Sequence, residues 1–444
     1  MKIVIAGCGE VGSHLAKLLS REEQDITVVD EDSAKLAVLD SNYNLLTCQG
    51  RPTSFKTLRQ AGVEGCDLFI AVTPFETRNI VACAIAKSLG AEKTVARVDN
   101  AEFKSADNRT FFSSIGNDDM IYPEYLAAQE IITALQHNWV RHWFELHDGE
   151  LILVGVKLRD GAPLVGMKLR ELGMKSHDFH VAAIKRNHET IIPGGDDRIE
   201  INDIVYFMTT RDNVNNLIPL CGKTERRIRD VIIMGGSRIA MQLCAMAGEK
   251  YRFKILDPDR NVCLKLSERC PDALIINADA RDTDALRDAG IADTDAFIAL
   301  ADSSESNILT CLTAKEFGVI KTIAEVENLQ FISEAEGLNI GTIVNKKLLA
   351  SSRIFQMLLD RDTSTSKCLA LADAEVAEIV AREDSKITRA PIKDLKLSRY
   401  MTIAGLIRDG KGQLVNGNTV IEPGDRVVVF TLDGVIHKVE KLFS

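Results

Sequence analysis

Apolar residues along this chain fall in short runs separated by longer stretches with helical spacing. Lys2–Ala6 (KIVIA) is a β-branched run of the kind that makes a buried strand. Similar runs predict strands at Ile3–Ala6, Ile26–Val29, Leu45–Cys48, Leu68–Val72, Thr94–Val98 and Met120–Tyr122. Between them the pattern predicts helices at Ser13–Ser20, Ser33–Asp40, Thr53–Gly62 and Thr77–Ser88, and an amphipathic helix at Pro123–Asn138 follows. Strand and helix alternating at this spacing predict an α/β fold with a parallel sheet covered on both faces, because right-handed crossovers place a helix between parallel strands.

Beyond Trp139 the pattern changes. Glu145–Lys157 and Val181–Lys185 read as strands around a short helix at Leu169–Leu172, and Ile191–Thr209 reads as two strands joined by a polar turn. Together they predict a small α+β module. The whole arrangement then repeats. AGVEGCDLFIAVT (Ala61–Thr73) returns as AGIADTDAFIALA (Ala289–Ala301), and Leu58, Gly62, Asp67, Ile70 and Asn79 match Leu286, Gly290, Asp295, Ile298 and Asn307 at an offset of 228. The same offset carries Gly7 onto Gly235 and Val11 onto Ile239, and one residue fewer carries Asp30 onto Asp257. In the small modules Arg186, Asp203 and Val205 match Arg408, Asp425 and Val427 at an offset of 222. The predicted order is a Rossmann-like domain (1–140), a small module (141–222), a second Rossmann-like domain (226–360) and a second module (366–444), with the polar, basic stretch Lys223–Asp230 as the junction.

The loop after the first strand carries the candidate chemistry. Gly7-Cys8-Gly9-Glu10-Val11-Gly12 is a GxGxxG fingerprint between a strand and a helix, with roles for a tight turn, close approach of a pyrophosphate, and helix–strand packing. The helix N-terminus offers N–H groups and partial positive charge to phosphates. Asp30, with Glu31 after it, ends the second strand 18 residues beyond Gly12, where an acid grips a ribose hydroxyl pair. An acid there repels a 2′-phosphate, so the expected ligand is NAD(H), or ATP/ADP, and not NADP. Gly50, Thr73 with Pro74, and Arg97 stand at the ends of later strands on the same edge. In the second copy the loop reads Gly235-Gly236-Ser237-Arg238-Ile239-Ala240 with Asp257 retained. There Ser237 narrows the phosphate approach, Arg238 offers a compensating charge, Ala301 replaces Thr73 and Glu325 replaces Arg97.

Composition narrows the function classes. The 444 residues are 45% hydrophobic and 27% charged, as in a globular protein. A net charge of −10, without basic blocks interleaved with aromatics, argues against nucleic acid. No apolar run approaches the roughly 20 residues that cross a bilayer, and the N-terminus reads as a strand and not as a signal peptide. The expected location is cytoplasmic, with any membrane role exercised through a partner. The ten cysteines form no CxxC; Cys66, Cys83, Cys244 and Cys311 read as core thiols, and Cys8 as a small filler between glycines. Six histidines lie between His137 and His188, away from the Rossmann edge. His177 and His180 stand at i, i+3, but no third metal ligand accompanies them. Past the strand ends there is no general base or acid to face a nicotinamide, so no catalytic residue is assigned and the chain reads as a binder of nucleotide. The rival reading is an NAD-dependent oxidoreductase with a duplicated Rossmann domain.

Several stretches carry a resemblance that spans the chain: MKIVIAGCGEVG with VVDED, the AGVEGCDLFIAVT and AGIADTDAFIALA pair, Pro123–Ile131, GAPLVGMKLREL (Gly161–Leu172) and VIEPGDRVVVF (Val420–Phe430). In this order they resemble the tandem RCK (regulator of K+ conductance) arrangement of the TrkA family. The resemblance implies a non-enzymatic regulatory subunit, peripheral at the inner membrane face. It would assemble as a homo-oligomeric ring, a dimer or tetramer of the tandem chain, beneath a Trk-type potassium channel subunit, and nucleotide binding would gate that channel. Arg51, where the family often carries an acid after Gly50, and Ser237 with Ala240 depart from the pattern.

Overall fold

The computed structural model describes residues 1–20, 24–175, 177–187, 189–359, 365–371, 374–395, 397, 400–432, 439 and 442–443. The first six strands are β1 (Lys2–Ala6), β2 (Asp25–Asp30), β3 (Leu46–Gln49), β4 (Leu68–Ala71), β5 (Lys93–Arg97) and β6 (Asp119–Ile121). They form one parallel sheet in the order β3-β2-β1-β4-β5-β6, so the strand order reverses at β1/β4. Ligands in doubly wound sheets bind at the carboxyl ends of the strands beside such a reversal. The central strands β1 and β4 are buried on both faces, which explains why their sequences run apolar without alternation.

The first small module holds β7 (His142–Leu146), β8 (Leu151–Lys157), β9 (Phe179–Arg186), β10 (Glu189–Ile191) and β11 (Ile204–Thr210), in an antiparallel sheet of order β10-β9-β11-β8-β7. The single strand expected over Glu145–Lys157 is instead a hairpin. His147 and Asp148 take left-handed φ values of 47° and 54°, and that turn breaks the run. Likewise Ile191–Thr209 holds the last residue of β10, a long irregular connection and all of β11 but its last residue. The segment before β6 carries a helix, Ala106–Ser114, where no element was expected. Its mean hydropathy is low and its apolar residues are few, so periodicity did not reveal it.

The second half repeats both sheets. β12 (Asp230–Met234), β13 (Arg252–Asp257), β14 (Leu274–Asn277), β15 (Ala296–Ala299), β16 (Lys321–Glu325) and β17 (Thr342–Val344) form a parallel sheet of order β14-β13-β12-β15-β16-β17. β18 (Thr365–Leu371), β19 (Ala374–Val380), β20 (Met401–Arg408), β21 (Lys411–Leu414) and β22 (Arg426–Leu432) form an antiparallel sheet of order β18-β19-β22-β20-β21. The repeated Arg and Asp explain themselves here. Arg186 Nη2 lies 2.8 Å from Asp203 Oδ2, and Arg408 Nη2 lies 2.6 Å from Asp425 Oδ2; both aspartates are buried and each also accepts a backbone N–H.

The compact units do not follow chain order. One comprises Met1–Ala127 together with Asn345–Leu358, and the other comprises the rest. The helix Lys346–Leu359 comes from the second half, yet its Ala350 and Ile354 are buried in the core of the first sheet with Ile3, Ile5, Leu15 and Ile121.

Candidate nucleotide site

The first loop is built as its glycines predict. Gly7 has φ +113°, and its N–H donates to Val29 O at 2.8 Å, turning the chain off β1. A Cβ on Gly12 would sit 1.9 Å from Gly7 O, so only glycine lets the helix close on the strand. A Cβ on Gly9 would meet nothing within 4 Å and points into open space, as the approach of a ligand requires. The helix starts at Glu10, inside the fingerprint and three residues before the start read from periodicity. Its first turn therefore presents N–H groups without intrahelical acceptors, at the positive end of the dipole.

Asp30 ties this loop to the strand edge. Its Oδ2 accepts from Cys8 N at 2.6 Å and its Oδ1 from Asp32 N at 2.9 Å. Each oxygen keeps a second lone pair, so the carboxylate orders the loop and still accepts hydroxyl donors. Glu31 turns aside and pairs with Arg51 (3.0 Å), which the sequence marked only as a departure from the pattern, and with Arg78 (3.1 Å), which it did not mark. Gly50 donates its N–H to Asp30 O at 2.9 Å, which holds β3 against the same edge. The Cys8 thiol is buried in the core, and burial pushes its pKa up, so it is a packed thiol and not a poised nucleophile.

At the end of β4, Asn79 organises the backbone. Its Oδ1 accepts from Thr73 N (2.9 Å) and Thr73 Oγ1 (2.6 Å), and its Nδ2 donates to Thr73 O and Arg97 O, each at 2.9 Å. The Thr73 hydroxyl is thus engaged within the protein, while Pro74 is exposed beside it. Asn307 repeats the same bonds to Ala301 and Glu325, so the matched asparagines were the sequence signal for this clamp. Arg97 reaches Asp99 at 3.4 Å, and its Nε is buried without a hydrogen-bond partner among the described residues. That unpaired donor, the open side of Gly9 and the helix start fit a phosphate-bearing ligand. Lys347, from the helix contributed by the second half, forms an ion pair with Glu10.

The second loop keeps the frame and fills its mouth. Gly235 N donates to Leu256 O at 2.8 Å, and Gly236 N donates to Asp257 Oδ2 at 2.7 Å, as Gly7 and Cys8 do in the first. Ser237 Oγ accepts from Ala240 N at 3.4 Å and caps the helix Arg238–Ala247. The helix start offered to phosphate in the first copy is here capped by the chain itself. Arg238 is exposed, Ile239 is core, and Glu325 is buried at the strand end.

Among the described residues the histidines form no metal-binding group. His137 stacks on Trp143, with ring centroids 3.5 Å apart, and half-buried His142 stacks beside Tyr206. His177 is exposed, whereas the His180 ring bonds Thr402; His188 lies outside the described residues.

A model of the TrkA-N domain matches residues 3–123 and 231–346, and one of the TrkA-C domain matches residues 153–222 and 376–444. The chain belongs to the TrkA family. It is 32% identical over 451 residues to the Trk system potassium uptake protein TrkA of Halomonas elongata, covering 100% of this chain and 99% of that protein. The Haemophilus influenzae TrkA is 30% identical over 452 residues, with the same coverage. Among solved structures, the RCK domain of GsuK aligns with a TM-score of 0.59 at 15% identity, over 100% of this chain and 94% of that one. The GsuK channel bound to NAD aligns at 0.60 and 15%, over 100% of this chain and 78% of that one. These structural likenesses establish the tandem RCK fold. Both relatives are named as potassium uptake proteins and not as oxidoreductases. No helix among its described residues is long and apolar enough to cross a membrane.

Proposed function

We propose that this chain is a peripheral cytoplasmic regulatory subunit of a Trk-type potassium channel, gated through nucleotide at its first Rossmann site. The observation that carries the reading is the Glu10–Lys347 ion pair. It joins the residue that opens the nucleotide loop's helix to a helix from the other half of the chain. A bound NAD(H), ATP or ADP would meet Gly7–Gly12 through its phosphates and Asp30 through its ribose. Any movement of the loop would then be felt by the helix Lys346–Leu359, whose Ile354 is locked in the same core. A ligand biases a conformational equilibrium only by binding two states unequally, and linked pairs of sites typically couple by about 1–3 kcal/mol. Several such sites in a ring, a dimer or tetramer of the tandem chain, would sharpen that bias toward a switch.

The second loop, capped by Ser237, is proposed to bind nucleotide more weakly than the first. The test is potassium flux in liposomes that hold the channel subunit, with this protein added and nucleotide varied. Flux that responds to nucleotide only when the protein is present supports the reading. Flux indifferent to both, with steady NADH consumption on a small substrate, would restore the oxidoreductase alternative.

A further inference from the structure

Lys315 and Lys321 stand in the second Rossmann unit where Lys87 and Lys93 stand in the first, 228 residues earlier. In the first copy each is neutralised: Lys87 Nζ lies 2.8 Å from Asp118 Oδ2, and Lys93 Nζ lies 2.8 Å from Asp119 Oδ2. Sheet register shows what became of those acids. Asp119 stands opposite Val95, and Thr342 stands opposite Ile323, the repeat partner of Val95. The aspartates have therefore become Gly341 and Thr342. Gly341 is held at φ +84°, and a Cβ there would come within 2.2 Å of Thr322 O. Both cations persist and both counter-charges are gone.

Further positive charge arrives from the first small module and its exit. Arg141, Lys157, Arg159 and Lys223 line one cavity of ≈ 130 Å³ together with Lys315 and Lys321, and no carboxylate lines it. Main-chain carbonyls satisfy part of this charge: Lys321 Nζ donates to Val140 O at 2.8 Å, and Lys157 Nζ donates to Glu336 O and Gly337 O, each at 3.1 Å. Carbonyls solvate cations without neutralising them. Among the described residues Lys223 Nζ has no hydrogen-bond or ion-pair partner. The nearby acids, Glu336 and Glu130, offset the charge only in part. Glu336 is paired with Lys185, and burial raises the Glu130 carboxyl to about 7. Burial, reinforced by Lys315 and Arg141, lowers Lys321 to about 7; burial with Arg141 and Arg159 lowers Lys157 to about 8, and burial likewise lowers Lys315 to about 8. A concave site whose cations are held against their own repulsion stores a preference for an anion.

We infer that this cleft is a further ligand site, separate from the Rossmann loops, that takes a small polyanion bearing one or two phosphate groups. Arginine forks and lysine point charges together match phosphate oxygens, and the cavity has room for such a group but not for a whole dinucleotide. The phosphate could come from free inorganic phosphate or pyrophosphate, or from the phosphate end of a nucleotide.

The experiment titrates the full chain calorimetrically with sodium pyrophosphate, in the wild type, the Lys223→Gln/Arg159→Gln double variant and Gly9→Val. The expected result is that the double variant weakens binding about tenfold or more, whereas Gly9→Val, which obstructs the first nucleotide loop, leaves it within about twofold. ADP that displaces pyrophosphate assigns the cleft to nucleotide phosphates, and ADP that does not assigns it to the free inorganic ions; both support the inference. Lys223→Gln alone, with an unchanged melting temperature, should still weaken binding about threefold, which separates lost charge from lost fold. No binding by the wild type at millimolar pyrophosphate, equal affinity in the double variant, or loss of binding in Gly9→Val overturns the inference.

Discussion

His180 Nε2 lies 3.3 Å from Thr402 Oγ1, and the two residues occupy the same position in the two copies of the small module, 222 apart. A residue meets its own equivalent only close to a two-fold axis, so the modules pack face to face about a pseudo-dyad. Leu153, Ala182 and Met208 of the first copy share a buried core with Val376, Ala404 and Phe430 of the second. Within one chain, the duplication supplies an interface that a single-module protein would make by pairing two molecules.

The fold should be acid-sensitive, through His180 at this interface and His142 beside it in the first module. Burial lowers both His142 and His180 from 6.5 to about 4. The unfolded chain takes up these protons near pH 6.5 and the folded chain only near pH 4. Stability is therefore complete above about pH 6.5 and falls as pH drops toward 4, by about 1.4 kcal/mol per pH unit for each group. Urea denaturation at pH 7 and pH 5 should show this loss, and His180→Gln should remove about half of it.

Asp30→Ala removes the acceptor for two loop N–H groups as well as the proposed ribose contact. Nucleotide affinity, read by calorimetry, should fall by about 1.5–3 kcal/mol. Unchanged affinity would show that the ligand does not engage this strand end.

Gly9 and Gly12 should part company. Gly9→Val has open space for its side chain, so it should leave the melting temperature near that of the wild type and abolish nucleotide binding. Gly12→Ala drives a methyl into Gly7 O and should lower stability by about 1–3 kcal/mol, whether or not nucleotide is added.

Ile354→Ala should destabilise the first Rossmann unit although it lies more than 200 residues away from it in sequence. Ile354 is fully buried in that core, and such truncations cost about 2–5 kcal/mol. Hydrogen exchange should accelerate in β1 and β2. Acceleration confined to the second half would contradict the shared core.

Much of this molecule is legible locally. Periodicity located the strands of the first parallel sheet to within about a residue, most plainly the central ones, because a strand buried on two faces must be apolar throughout. Spacing singled out the loop Gly7–Gly12 with Asp30 as the candidate site, because a phosphate site needs a turn, an open backbone and a helix start in immediate succession. Duplication was equally plain, since Asn79 and Asn307, or Asp203 and Asp425, recur at fixed offsets and make the same bonds.

Other features depend on which distant segments meet. Nothing near Lys347 in sequence marks it as the partner of Glu10, because the pairing follows from a helix that crosses to bury Ala350 and Ile354 in the other half's core. Ser237 reads as a steric obstruction, yet only its cap bond to Ala240 shows that the helix end is already satisfied. The basic cleft combines six side chains drawn from positions 141 to 321, and in the sequence none of them stands out from the chain's other lysines and arginines. Periodicity and spacing encode what neighbours along the chain must do; long-range packing decides which charges face one another, and that is where this chain's halves become different.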